Sequence, residues 1–176
     1  MLNSVVEKKL NDQINMEMFS AYLYLSMEAY FRSNNLDGFA NWFSVQAKEE
    51  MDHAMKIFYY IDYVGGSIKL GSIGQPKADF SSPMEALEDA LKHEQLVTKS
   101  IYDIVDAARQ ERDHKTESFL QWYVNEQVEE ENNADTNIKK LKLAGVDGPG
   151  LYILDKELET RTYTPTPTQY GAEAVQ

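Results

Sequence analysis

The chain has 176 residues, which suggests one domain. Acidic side chains outnumber basic ones by 29 to 17, and the net charge of −12 argues against nucleic acid or an anionic membrane as partner, because both require a basic surface. There are no cysteines, which excludes a disulfide framework, a thiol nucleophile and cysteine-ligated metal sites. No apolar run approaches the ~18 residues of a membrane span, and the amino-terminal residues do not resemble a signal peptide, so a cytoplasmic location is expected.

Two long helices are predicted in the first third of the chain, where glycine and proline are nearly absent. The first covers residues 4–33 and opens with Ser4 and Glu7, whose spacing is that of a capping box. A short turn follows, and the second helix covers residues 38–64. It ends at a pair of glycines, which commonly terminate helices.

Residues 65–82 contain four glycines and one proline, and they are predicted to form a long connection without helix. Ser82 and Pro83 then open a third helix, because serine caps a helix amino terminus and proline suits the first helical position. This helix is predicted to end near residue 111. Residues 112–114 are predicted to form a turn, and a fourth helix then runs to about residue 144.

A glycine-rich break separates the fourth helix from a short fifth helix over residues 151–160. Residues 1–160 are predicted to form one helical domain, and residues 161–176 a flexible tail, because they are rich in threonine and proline. Short turns make helices 1 and 2, and helices 3 and 4, antiparallel pairs. The long connection makes helices 2 and 3 parallel, so the predicted fold is an all-α four-helix bundle with a long crossover.

Each of the four long helices carries a carboxylate on its apolar stripe near mid-length: Glu17, Glu50, Glu94 and Glu130. A buried, unpaired carboxylate is unfavourable by an amount on the order of several kcal/mol, and no lysine or arginine lies on these stripes. Bound cations are the remaining solution, and the four negative charges match two divalent ions. Oxygen ligands with one imidazole suit iron or manganese better than copper, with zinc also possible.

Glu50 and His53 lie one helical turn apart on one face, so they could hold the same ion. This pair alone is weak evidence, because such pairs are common on the surfaces of glutamate-rich helices. The prediction depends on the four helices together. Tyr24 also lies on a stripe, where a core aromatic needs a partner for its hydroxyl. His93 and His114 have no partner in this pattern and are expected at the surface.

The segments that carry these residues resemble the bacterial non-haem ferritins. The resemblance covers about residues 1–160, and its matching segments are residues 10–17, 47–53, 92–95, 119–131 and 150–158. It implies a ferritin-like bundle with a short fifth helix, assembled as a hollow shell of 24 subunits that stores ferric mineral.

The resemblance also implies a ferroxidase centre. Its first iron would be held by Glu17, Glu50 and His53. Its second would be held by Glu94, Glu130 and the bridging Glu50. The reaction would be oxidation of Fe(II) by O2 or H2O2, followed by deposition of ferric oxide.

Further residues of the centre are implied in the same way. Gln127 would lie beside the second iron, and Tyr24 would hydrogen-bond near the centre and lend an electron. Bacterial members often have a third iron position, for which the matching residues are Glu49, Glu126, Glu129 and Glu130. From composition alone, the acidic run in the fourth helix would be a solvated face.

One detail separates this chain from relatives with a permanent di-iron cofactor. Bacterioferritins also carry Glu-x-x-His on the fourth helix, but that position here reads Gln127-Val128-Glu129-Glu130, so the second histidine is missing, which favours a centre through which iron passes. Met51 stands at the position of a haem thioether ligand, but methionine also occurs there in non-haem members, so haem is not expected. The absence of cysteine excludes a rubredoxin-type iron site.

Two other functions fit parts of the pattern. One is a ferritin-like bundle whose carboxylates hold an inert ion. The other is a dodecameric mini-ferritin that protects DNA. The acidic balance, the fifth helix and a metal site within one subunit argue against the second.

Overall fold

The computed structural model describes residues 2–167 and 170, and all regular secondary structure in this part of the chain is helical. No helix among these residues combines the length and apolarity needed to cross a bilayer. The all-α prediction is confirmed. The helices are α1 (Ser4–Ser33), α2 (Asp37–Tyr63), α3 (Pro83–Gln110), α4 (His114–Ala144) and α5 (Gly148–Leu158).

The start of α1 lies where predicted, but its cap is different. The Asn3 side chain accepts a hydrogen bond of 2.8 Å from the backbone N–H of Val5. Glu7 instead accepts from the backbone N–H of Ser67 in the long connection, at 3.0 Å. The predicted capping box of Ser4 and Glu7 is therefore wrong, because an asparagine one residue earlier caps the helix and tertiary structure takes the glutamate.

The other predicted boundaries agree within one or two residues, except at α5. This helix begins at Gly148, three residues before its predicted start at Leu151. Pro149 lies in its first turn, where backbone N–H groups have no partner within the helix, so the N–H that proline lacks is not needed. The glycine-rich stretch read as a break therefore includes the first turn of α5.

Hydrogen bonds between helices establish the crossover topology. Gln13 of α1 accepts a hydrogen bond from Ser100 of α3. Tyr24, further along α1, donates to Glu94, which lies earlier in α3. Helix α1 is therefore antiparallel to α3. It is also antiparallel to α2, which follows it across a short turn. Helices α2 and α3 are consequently parallel, as the long connection predicted.

The long connection follows α1 along much of its length. Asn11 donates to the carbonyl oxygen of Ser67 at 2.9 Å, and Ser26 donates to that of Lys77 at 2.8 Å. Polar side chains on α1 thus satisfy backbone groups that have no helix or strand of their own. These bonds fix the path of the connection from one end of the bundle to the other.

Two apolar clusters lie on either side of the helix midpoints. The Phe31 cluster contains the stacked rings of Phe31, Phe39 and Phe43. The ring centroid of Phe31 lies 5.0 Å from that of Phe39 and 5.4 Å from that of Phe43. The Ile57 cluster, at the other end, contains Ile57 and the stacked pair of Tyr60 and Phe119 (3.8 Å) among other apolar residues. Residues between the clusters on the inward faces are polar.

Helix α5 packs against the beginning of α2. Leu36 occupies the N-cap position of α2, and its side chain makes no capping hydrogen bond. The Asp155 carboxylate of α5 accepts bonds from the backbone N–H groups of Gly38 (2.8 Å) and Phe39 (3.1 Å) instead. A Cβ at Gly38 would lie 1.6 Å from the Asp155 carbonyl oxygen, so only glycine allows this approach.

Residues 161–167, within the predicted flexible tail, form no helix but contact α2 through several hydrogen bonds. The rest of that predicted tail, apart from Tyr170, lies outside the described residues. Tyr170 packs edge-on against Tyr60, with ring centroids 5.6 Å apart.

Candidate metal centre

Four carboxylates and one imidazole meet between the two apolar clusters. The exposed fraction is 1% for Glu17 and His53, 2% for Glu50 and Glu94, and 4% for Glu130. Each of the four long helices contributes at least one of them. The structure therefore brings together, away from bulk water, the carboxylates that periodicity placed on the inward faces.

His53 belongs to two groups of ligand atoms. Glu17, Glu50 and His53 form one group, and His53, Glu126 and Glu130 form the other; within each group the ligand atoms lie within 4.8 Å of one another. His53 Nδ1 is 3.3 Å from Glu50 Oε2, and its Nε2 is 3.9 Å from Glu126 Oε1. The predicted ligands of the first iron therefore form one group, whereas Glu94, predicted for the second iron, belongs to neither group.

Glu94 lies at the same level, but both of its carboxylate oxygens are occupied by hydrogen bonds. The Tyr24 hydroxyl donates to Oε1, and Gln127 Nε2 donates to Oε2 at 3.0 Å. Without a cation, these neutral donors satisfy the carboxylate. Tyr24 and Gln127 therefore both contact the centre through Glu94.

Two further glutamines support the carboxylates. Gln46, on the inward stripe of α2, donates to Glu130 Oε2 at 2.8 Å. Gln13 donates to Glu17 Oε1 at 2.9 Å. Gln13 was not among the predicted residues, although a glutamine four residues before a buried glutamate lies on the same helix face and could have indicated it.

Several polar atoms of the centre have no partner. Among residues 2–167 and 170, the buried side-chain atoms without a hydrogen bond are Glu17 Oε2, Glu50 Oε1, His53 Nε2 and Gln46 Oε1. An unsatisfied buried polar group costs about 1–3 kcal/mol. Oxygen and imidazole nitrogen are ligands for iron and zinc. The orphaned atoms therefore fit a cation.

Burial also changes the protonation of the carboxylates. It raises the pKa of Glu17 to about 7. Burial, with the neighbouring carboxylates, raises the pKa of Glu50 and of Glu130 well above the ordinary glutamate value. The metal-free centre therefore retains protons near neutral pH, and a binding cation displaces them.

The residues predicted for a third iron position are only partly brought together. Glu126 lies beside His53, with its side chain 27% exposed. Glu129 is exposed to solvent. Glu49 forms an ion pair with Arg161, with 2.6 Å between Oε2 and Nη2. Arg161 was not among the predicted residues, because its pairing connects positions 112 residues apart.

The two remaining histidines differ in exposure. His93 is only 9% exposed, its Nε2 lies 2.7 Å from the Ser20 hydroxyl, and burial lowers its pKa to about 4. The prediction that His93 lies at the surface is wrong, because α1 covers that face of α3. His114 is exposed, as predicted.

A crossover four-helix bundle with carboxylate and imidazole ligands at its centre defines a class of metal-binding helical proteins. The protein-family model described as "Ferritin-like domain" matches residues 7–144 of this chain. The chain therefore belongs to the ferritin family.

Individual relatives agree with this assignment. The chain is 44% identical to the bacterial non-heme ferritin of Staphylococcus aureus strain MRSA252 over 163 residues, 93% of this chain and 98% of the relative. It is 42% identical to the bacterial non-heme ferritin of Staphylococcus epidermidis over the same coverage. A solved open-pore ferritin from Archaeoglobus fulgidus is 48% identical with a TM-score of 0.91, covering 92% of this chain and all of that one.

Proposed function

We propose that this chain is an iron-storage ferritin with a ferroxidase centre, which oxidises Fe(II) with O2 or H2O2 and passes ferric iron to a mineral core. Membership of the ferritin family supports storage. The observation that carries the oxidation is the convergence of Glu17, Glu50 and His53, each with an unpaired buried atom. Burying these ionisable groups together costs free energy when no cation is bound, and a bound cation offsets that cost.

In this proposal Fe(II) is a substrate that binds at two positions. Glu17, Glu50 and His53 hold one ion, and Glu50, Glu94 and Glu130 hold the other. Hard carboxylate oxygens stabilise Fe(III) more than Fe(II), which lowers the reduction potential and favours oxidation. Adjacent irons can each give one electron to the same oxidant, so a two-electron reduction needs no outside donor.

Tyr24 and Gln127 act on the second position through Glu94. Burial, followed by the charge of Glu94, raises the pKa of Tyr24 well above its usual value, so the hydroxyl remains protonated and donates. A cation at Glu94 competes with this bond and with the Gln127 amide. Tyr24 lends one further electron, together with its hydroxyl proton, when the oxidant takes more than the two electrons that the irons supply. Because Gln127 and Glu130 stand where some relatives carry a Glu-x-x-His pair, the second iron lacks an imidazole, which suits passage of iron.

Assembly into a hollow shell, with the 24 subunits implied by the resemblance, is part of the proposal. The described surface exposes large apolar side chains on several helices, and contiguous apolar surface marks interaction sites. The exposed residues include Tyr22, Leu25, Leu96, Leu143, Tyr152 and Ile153. The cytoplasmic location stays a prediction.

Stopped-flow oxidation of Fe(II) by the assembled protein tests the centre. Glu50→Ala removes the carboxylate shared by both positions, and the initial rate should fall by about a hundredfold, since even outer-shell partners of metal ligands are worth about 10–100-fold. Asp103→Ala, which removes an exposed carboxylate of α3, is the matched control.

Three outcomes contradict the proposal. An unchanged rate in Glu50→Ala shows that the site is assigned wrongly. Anaerobic binding of Fe(II) without oxidation after admission of O2 supports the inert-ion alternative instead. A native mass near half that of a 24-subunit shell indicates the dodecameric alternative.

A further inference from the structure

Residues 161–167, here called the C-terminal strap, lie along α2 next to the centre. Arg161 begins the strap. Its Nη2 is 2.6 Å from Glu49 Oε2, its Nη1 donates to the Trp42 carbonyl at 3.3 Å, and its guanidinium lies 4.8 Å from the centre of the Trp42 ring. Asn41 donates to the Arg161 carbonyl at 2.9 Å, so side chain and backbone are both held.

The strap continues along the same face of α2. Asp52 accepts from the Tyr163 hydroxyl at 2.6 Å and from the backbone N–H of Thr166 at 2.9 Å. Lys56 then donates to the Pro167 carbonyl at 3.1 Å. Positions 49, 52 and 56 follow the helical spacing of three and four, so the strap follows one face for about two turns.

This face borders the metal ligands. Glu49 precedes the ligand Glu50, and Asp52 precedes His53. The Lys56 ammonium lies 4.1 Å from the centre of the Trp122 ring, which packs edge-on against His53 with 5.2 Å between ring centroids. The strap therefore lies against the face of α2 that borders Glu50 and His53.

We propose that Arg161 competes with an outermost cation for Glu49 and so sets the affinity of that position. This inference rests on the proposed function. Charged, short contacts such as the one between Arg161 and Glu49 are stronger than neutral hydrogen bonds. The group formed by His53, Glu126 and Glu130 lacks Glu49, whose Oε2 atom already faces the guanidinium.

A divalent ion that used Glu49 would lie next to the positive guanidinium and be repelled by it. Binding at this position therefore requires Arg161 to withdraw from Glu49. Arg161 is only partly buried, with its side chain 22% exposed, so it can move into solvent without a change in the bundle core. When it withdraws, Glu49 becomes a further anionic ligand beside Glu126.

Anaerobic calorimetric titration of the assembled protein with Fe(II) tests this. The wild type should bind about two ions per chain tightly and any further ion weakly. Arg161→Ala should raise the affinity for the further ion by about tenfold, because it removes one nearby positive charge at a partly buried position. Arg161→Lys, which keeps the charge, should stay closer to the wild type.

Two further variants separate the strap from general effects. Arg109→Ala removes a guanidinium whose Nε lies 2.7 Å from Glu117 on a distant surface, and it should titrate like the wild type. Glu49→Gln combined with Arg161→Ala should abolish the gain, because the gain needs the released carboxylate. Melting temperature and native mass confirm that each variant folds and assembles, and Arg161→Gln replaces Arg161→Ala if the latter does not.

The inference is overturned if Arg161→Ala binds the further ion no more tightly than the wild type does. It is also overturned if the gain in affinity persists in the double variant. If Glu50→Ala still loses the tight ions in that case, the proposed function stands and only the role of the strap is wrong. If Glu50→Ala keeps them, the proposed function fails independently.

Discussion

The Phe31 and Ile57 clusters and the carboxylate centre between them are equally buried, but their chemistry differs. The clusters contain stacked rings and aliphatic side chains that need no partner. The centre contains carboxylates with raised pKa values and atoms without hydrogen bonds. Burial thus stabilises the two ends and, without a cation, destabilises the middle. Stability and function are separated along the helix axes, and substitutions should affect one or the other.

The largest contrast is expected between two residues of α2 one turn apart. His53→Ala removes an imidazole ligand, and the initial rate of Fe(II) oxidation should fall by about a hundredfold with little loss of stability. Ile57→Ala should instead cost about 2–5 kcal/mol of stability and leave the rate per folded subunit nearly unchanged. Stopped-flow kinetics and thermal melting of both variants measure the contrast. Equal effects on both quantities would show that the separation is wrong.

Phe31→Ala tests the apolar end alone. Phe31 is fully buried and stacks on Phe39 and Phe43, so its truncation should cost about 3–5 kcal/mol. The midpoint of thermal unfolding at fixed protein concentration measures this. Fe(II) binding should persist in the protein that remains folded. A loss of tight binding at temperatures well below the midpoint would mean that the cluster also positions the ligands.

The centre should give the metal-free protein an unusual pH dependence. Because the pKa of Glu17 is raised to about 7 in the folded state, its contribution to stability is present below the unfolded value of 4.5. That contribution is lost as the pH rises through about 7, and it is worth on the order of 3 kcal/mol.

Thermal melting of chelator-treated protein between pH 5 and 8, with and without a divalent cation, measures this loss. Glu17→Gln, which cannot ionise, should remove the share of this loss that Glu17 contributes and leave the share of Glu50 and Glu130. A bound cation should restore stability at the alkaline end. A metal-free protein that becomes more stable over this range would contradict the assignment of a costly centre.

The smallest effect is expected at the junction of α5 and α2. Asp155→Ala removes the acceptor for the Gly38 and Phe39 amides and should cost about 1–2 kcal/mol, typical of a lost helix cap. Asp155→Asn keeps an acceptor oxygen and should cost less. Thermal melting measures both, and iron oxidation should be unaffected because α5 contributes no ligand.

Patterns local in sequence predicted most of this molecule. Helical periodicity located the four long helices and the inward positions of Glu17, Glu50, Glu94 and Glu130, because burial of a helix face repeats every three to four residues. The length of the connection after α2 indicated the crossover. These features need no knowledge of which helix packs on which.

Contacts between distant positions could not be predicted in the same way. The pairing of Arg161 with Glu49 joins residues that no periodicity relates. His93 became buried because of how α1 lies on α3, which depends on the packing angle rather than on the sequence of α3. Asn3 was missed for a different reason, since adjacent residues offered competing caps.

The Asp155 cap has a consequence for synthesis of the chain. The amides that it satisfies precede it by more than a hundred residues, so during translation they leave the ribosome long before their acceptor does. The nascent second helix must begin with these groups bonded only to water. Its first turn reaches its final form only after residue 155 has been made, which couples formation of α5 to completion of the much earlier α2.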